Sequence, residues 1–136
     1  MDSWFLPTIV ALFLYGLWGW FPKIASNYLD AKSAWVWEVL GFAVASLIVF
    51  LILGLKPVYH AKGSLFAALT GVAGALGTLF FFIAISRYKA STVTTITALY
   101  PVIVVILSFL ILKEAISLKQ GIGILFAFAS IYFLSY

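Results

Sequence analysis

The sequence predicts an all-α integral membrane protein of five transmembrane helices. Three observations carry that expectation: apolar runs of membrane-crossing length, few charges, and confinement of those charges to the gaps between runs. The uncharged stretches are residues 3–22, 39–55, 63–86, 90–112 and 120–136 of a 136-residue chain. A helix rises about 1.5 Å per residue and the hydrocarbon core of a bilayer is roughly 30 Å thick, so runs of about 17 to 25 residues span it. Hydrophobic residues make up 65% of the chain and charged residues 9%, whereas a soluble domain is charged at about a quarter of its positions. Mean hydropathy is +1.21. The connecting segments 23–32, 56–62, 87–89 and 113–119 are too short to fold separately, so residues 1–136 read as a single transmembrane domain.

The first run begins directly after Asp2. It lacks the basic start of a secretory signal and carries Trp18-Gly19-Trp20-Phe21-Pro22 where small cleavage-site residues belong, so it is expected to stay in the mature protein. The second run is expected to be capped by Ser33 and stopped by Lys56-Pro57, because proline pushes the preceding residue out of helical geometry. In the third, Ala67, Gly71 and Ala75 recur every four residues, as do Thr70, Gly74 and Thr78, which gives one smooth face. Helices in lipid associate through such faces, and Gly71 and Gly74 read either as static packing positions or as a sliding surface in a protein that changes shape. Gly16-x-x-Gly19 and Gly121-x-Gly123 are weaker versions of the signal.

The fourth run opens with Ser91, Thr92, Thr94, Thr95 and Thr97, followed by Ala98-Leu99-Tyr100-Pro101. Pro101 removes one backbone hydrogen bond and crowds the carbonyl four residues earlier, so a kink is predicted there. The hydroxyls either repair the bent helix or line a wet cavity, and Tyr100 carries a hydroxyl to roughly mid-membrane. Ser117 followed by Gln120 fits a capping box at the start of the fifth helix.

Several classes of chemistry are excluded. The net charge of +4 is dispersed over the loops and forms no stripe that tracks phosphates, so nucleic acid is not a partner. There is no cysteine, and the single His60 has no second ligand nearby in sequence, so neither a metal nor any other cofactor is expected. No triad-like set of catalytic residues can be assembled, and the chain is not read as an enzyme. Gly71 to Gly77 lies inside an apolar span, which rules against a nucleotide loop.

Polar groups within the spans are the informative remainder. Glu38 lies five positions past Ser33, about 7 Å along the helix. It reads either as an interfacial carboxylate paired with Lys23 or Lys32, or as a cation- or proton-binding group, since ionisable residues in membrane segments face cavities. Tryptophans 18, 20, 35 and 37 flank the first loop and Trp4 lies near the N-terminus; the four form either an interfacial belt or the lining of a pathway.

Five spans place the termini on opposite sides. The first and third loops then hold Lys23, Lys32, Arg87 and Lys89, and the second and fourth hold Lys56, Lys62, Lys113 and Lys119. Orientation follows an excess of Lys and Arg on the cytoplasmic side, and here four face four. The chain is therefore expected to insert both ways.

The segment from Tyr15 to Ala25, with Trp18, Gly19, Lys23 and Ala25, resembles the W-G-x-x-x-K-x-A signature of the drug/metabolite transporter superfamily, in its short five-helix, EamA-like bacterial and archaeal branch. Ser91-Thr92-Val93, Ala98-Leu99-Tyr100-Pro101-Val102, Lys113-Glu114 and Gln120-Gly121-Ile122-Gly123 are similar to its S-x-V, A-L-x-P-V, x-E and Q-x-x-G elements. The resemblance implies one half of a ten-helix, inverted-repeat EamA-type transporter in a prokaryotic plasma membrane, completed by a second copy. It also implies that Tyr15, Trp18, Lys23, Glu38, Thr95 and Tyr100 are cavity or gate candidates, that Pro101 joins Gly71 and Gly74 as a hinge, and that Glu114 and Gln120 are structural. The implied function is movement of a small metabolite or drug-like solute by alternating access, with an antiparallel homodimer restoring the inverted repeat. One subunit of a heteromeric transporter or lipid-linked sugar flippase, and a non-transporting scaffold or regulatory subunit, stand as alternatives.

Overall fold

The computed structural model describes residues 4–135, which are helical almost throughout, with no strand among them. Contacts divide the chain into two units, one ending at Arg87 and one beginning at Tyr88. The first comprises α1 (Phe5–Ala25), α2 (Ala31–Ile52) and α3 (Ala61–Arg87). The second comprises α4 (Ala90–Thr97), α5 (Tyr100–Leu107), a π-helical turn (Ser108–Leu112) and α6 (Leu118–Ser135). Taken together Ala90–Leu112 is one interrupted span, and it joins α1, α2 and α3 as the stretches long and apolar enough to cross a membrane. The remaining apolar stretch, Leu118–Phe133 in α6, is shorter.

The helix ends revise two sequence expectations. The cap of α2 is Asp30, whose carboxylate accepts the Lys32 and Ser33 backbone N–H groups at 3.0 and 3.1 Å. Ser33 lies inside the first turn and donates its hydroxyl to the same carboxylate. A carboxylate takes several donors at once where a hydroxyl takes one, and the positive end of the helix dipole favours it. The Ser33 hydroxyl, then the Ser33 N–H, hold the Asp30 carboxyl below its ordinary value.

At its other end α2 stops before Lys56-Pro57. Gly54 N–H donates to Leu51 O at 2.9 Å and Leu55 N–H to Phe50 O at 3.0 Å, the paired bonds of a Schellman motif. Gly54 adopts φ 61° there, a left-handed geometry that glycine takes without strain. Proline at 22 likewise does not end α1, which runs one further turn to Ala25.

Within the first unit α3 packs against both α1 and α2. The buried stripe on α3 is Thr78, Phe81, Phe82 and Ile85, spaced as one face of a helix. The buried positions of α1 are Gly19 and Pro22, and that of α2 is Ala34. The small-residue face reaches this stripe only at Thr78, and its glycines lie apart from it. Gly71, Gly74 and Gly77 are exposed, and a Cβ built at any of them meets no atom within 4 Å. Within this unit no neighbouring helix packs closely on those glycines.

In the second unit α4 packs against α6, with Val93 buried. The span breaks at Ala98 and Leu99, between α4 and α5, with Pro101 in the first turn of α5. Around the break Leu99 N–H reaches Ile96 O at 3.2 Å and Val102 N–H reaches Leu99 O at 2.9 Å. These three-residue bonds tighten the chain where proline offers no donor. Ser117 and Gln120 exchange bonds of 2.8 and 3.2 Å at the start of α6.

Candidate functional site

The site is built where α1, α2 and α3 meet near the first loop. Trp18 lies seven residues from the end of α1, Glu38 seven from the start of α2 and Phe81 six from the end of α3. At about 1.5 Å per residue each is roughly 9 to 10 Å in from its helix end. Three helices thus deliver one carboxylate and two aromatic rings to a common level. The Trp18 indole N–H donates to Glu38 Oε1 at 2.6 Å. Its ring stacks on Phe81 with centroids 5.5 Å apart and planes 17° from parallel. Stacking fixes the indole plane, and the fixed plane aims its single N–H at the carboxylate.

Glu38 Oε2 is buried and has no hydrogen-bond partner. A shut-in acceptor forfeits its hydration without replacement, at about 1–3 kcal/mol for a neutral group and more for a charged one. The partner the structure gives Glu38 is therefore an indole rather than Lys23 or Lys32. Lys23 instead donates from Nζ to the Ile85 carbonyl at 3.1 Å, in the last turns of α3, where helix carbonyls lack intrahelical donors and favour a cation.

A second indole ties α2 to α3. Trp35 Nε1 donates to Ala75 O at 2.8 Å and to Thr78 Oγ1 at 3.1 Å. The four tryptophans around the first loop therefore divide: Trp18 and Trp35 turn their N–H groups to protein acceptors, while Trp20 and Trp37 remain 56% and 66% exposed. Phe81 is a site residue the sequence did not single out, while Trp35 entered only among the loop tryptophans and Thr78 only in the small-residue repeat. The signal for Phe81 was present, since positions 78, 81, 82 and 85 repeat with the spacing of one helix face.

The structure brings Trp18 and Glu38 into direct contact, with Lys23 five residues further along α1. Tyr15 is 64% exposed on α1. Thr95 and Tyr100 belong to the second unit. Thr95 donates its hydroxyl to Ser91 O at 2.7 Å, and Thr97 donates to Val93 O and Thr94 O at 3.0 Å each. These hydroxyls serve carbonyls of their own helix upstream of the break. Tyr100 stands exposed at the break. Glu114 N–H closes the π-helical turn on Ser108 O at 3.3 Å, next to Lys113 in a left-handed conformation with φ 58°. Gly71 and Gly74 lie on the open face of α3.

A shallow groove of about 470 Å³ runs along α2 beyond Glu38, lined by Phe42, Ala45, Ser46, Val49, Phe50 and Leu53. With one hydroxyl among apolar groups it suits lipid and offers no fixed polar recognition. Among the described residues no group of three His, Cys, Asp or Glu side chains comes together to hold a metal.

Four stretches long and apolar enough to cross a bilayer define a multi-pass membrane protein. The EamA-like transporter family model matches residues 2–136, and the chain belongs to that family. Its members are transporters rather than enzymes. The chain is similar to the uncharacterized protein MJ1333.1 of Methanocaldococcus jannaschii, 28% identical over 137 residues that make up 99% of this chain and 98% of that one. It is also similar to the uncharacterized transporter YyaM of Bacillus subtilis, 29% identical over 112 residues, or 80% of this chain and 36% of that protein. No solved structure is significantly similar.

Proposed function

We propose that the chain moves a small solute across a prokaryotic plasma membrane by alternating access, as an antiparallel homodimer in which residues 1–136 act as one EamA-like domain. The observation that carries this is the relation of lengths. The family model covers residues 2–136, yet the match occupies only 36% of the transporter-named relative. A protein more than twice as long has room for two such units in one chain, and a chain with one unit reaches the same architecture by pairing. In inverted-repeat transporters the solute binds at the repeat interface near the midplane.

Antiparallel pairing follows from the even division of basic residues, since nothing in the loops favours one orientation. Tyr15, Trp18, Lys23, Glu38, Thr95 and Tyr100 are the pathway positions of this proposal, supported by the Trp18–Glu38 bond. The break before Pro101 and the open face at Gly71 and Gly74 supply places to bend and slide.

A tag at the C-terminus of the chain in intact cells tests the arrangement. Both sides of the membrane are expected to show it, and neutralising Lys56 and Lys62 is expected to shift the population to an outside N-terminus. A tag confined to one side in the unaltered protein rules out dual insertion, leaving a parallel dimer or a different partner.

A further inference from the structure

We propose that Glu38 binds a cationic nitrogen of the transported solute, an ammonium or guanidinium group, with the Trp18 and Phe81 rings forming the aromatic wall of the same subsite. This rests on the transporter reading above and names the charge class of its solute. Glu38 is half-buried at a three-helix junction and offers two acceptor oxygens. The protein satisfies one of them, through the Trp18 N–H at 2.6 Å. The other oxygen has less than 1 Å² of exposed surface and no partner, so in this conformation water does not reach it.

The neighbouring indole donors are already committed. Trp18 has a single N–H, directed at Oε1, and the Trp35 N–H lies between Ala75 O and Thr78 Oγ1. The Lys23 ammonium reaches the Ile85 carbonyl. What the second oxygen lacks is a donor, and the surroundings select its charge. A carboxylate strengthens its hydrogen bonds with charged donors, and aromatic faces attract cations, whereas an anion is repelled by the one and gains nothing from the other. Trp18 is held in stacking contact with Phe81, so its indole is positioned both to close over Glu38 and to report on what displaces it.

The conformation described is closed at this point. Entry of a solute requires α1 and α2 to part, so the Trp18 N–H and the incoming cation compete for one carboxylate. Loss of the bound cation returns the indole to Oε1. Such a competition links occupancy of the subsite to the spacing of two helices, which is the link alternating access needs.

The test uses the full chain in lipid nanodiscs with three cations, methylammonium, guanidinium and phenethylammonium, against 3-phenylpropanol and 3-phenylpropionate as neutral and anionic analogues. Tryptophan fluorescence and thermal melting are the readouts. Phenethylammonium is expected to bind at least tenfold tighter than the two analogues of similar size. Glu38→Gln keeps an oxygen for the Trp18 N–H and is expected to lose that preference, while Trp18→Phe keeps the stacking, removes the competing donor and is expected to bind the cation as well or better. No response to any of the three cations, a preference for the neutral or anionic analogue, or equal cation binding by Glu38→Gln overturns the subsite. The comparison of analogues on the unaltered protein needs no variant, so a failure of Glu38→Gln to fold does not shield the proposal. Liposome flux separates this from the transporter reading: cation binding without flux upholds the subsite and sinks transport, and flux of an uncharged solute without cation binding does the reverse.

Discussion

The two halves of α3 behave as different materials. The part before Thr78 carries the glycines at 71, 74 and 77, is mostly exposed, and leaves open space around each of them. The second half carries Thr78, Phe81, Phe82 and Ile85, all buried against the rest of the first unit. Small residues are the usual adhesive between helices in lipid, because lipid tails compete with Leu for apolar contact. Here the first unit buries bulky groups and leaves the glycines of the smooth surface open. The lesson is that aromatic stacking and indole hydrogen bonds supply what lipid does not: Trp18 finds both Phe81 and Glu38, and Trp35 finds both Ala75 and Thr78.

The contrast breaks first in the buried half. Ile85→Ala or Phe82→Ala removes a side chain with almost no exposure and is expected to destabilise by about 2–5 kcal/mol, as large-to-small core changes do. Thermal unfolding in detergent measures it, and an unchanged melting point for both variants means the stripe does not hold the unit. The glycine half answers differently according to what covers it. A Cβ at Gly71 or Gly74 has open space around it, so a lone chain is expected to absorb Gly71→Leu and Gly74→Leu, whereas a second backbone packed on that face costs about 1–3 kcal/mol by overpacking. Melting compared at high and low protein-to-detergent ratio separates the two, with a ratio-dependent loss expected for the dimer.

A smaller effect sits at the seam between the halves. Trp35→Phe keeps the ring and deletes the donor shared by Ala75 O and Thr78 Oγ1, for an expected loss of about 1 kcal/mol. A loss as large as that of Phe82→Ala would move the indole bond from trim to keystone. The smallest effect lies outside α3. Asp30 is held below its ordinary 3.8 by the Ser33 hydroxyl and N–H. Its folded-state value is depressed, so its contribution is fully present above the unfolded carboxylate range and is lost as pH falls through the folded value. Helicity of unaltered protein and Asp30→Ala should therefore differ by a constant amount at neutral pH and converge only below about pH 4.

Local signals in the chain were legible where one short interaction decides the outcome. Ser117 and Gln120 pair because the capping box is a four-residue device, and the span breaks before Pro101 because proline removes its own donor. The expected cap at Ser33 gives way to Asp30, three residues earlier, because that carboxylate accepts from several donors at once. The stop of α2 was misplaced because Pro57 is the louder symbol, although Gly54 acts first. For the site, the sequence singled out Trp18, Lys23 and Glu38 but not which of them would touch. An indole, an ammonium and a carboxylate within one turn of a common level pair in several ways, and the choice fell to Phe81, whose stacking sets the angle of Trp18. Phe80, 67% exposed, and Phe81, buried, are neighbours of identical type; only helical phase tells them apart.

The unequal lengths of the helices carry a consequence for the solvent around them. At 27 residues α3 is about 40 Å long, and at 18 residues α6 is about 27 Å, against a hydrocarbon slab of roughly 30 Å. A bilayer meeting α3 must let it lean or let its ends emerge, and one meeting α6 must thin locally or draw its polar ends inward. Each adjustment costs fractions of a kcal/mol per Å of mismatch, and the two respond to thickness with opposite sign. Acyl chain length is then a physical variable that bears on this protein directly, with thin leaflets relieving the short helix and thick ones letting the long helix stand closer to the membrane normal.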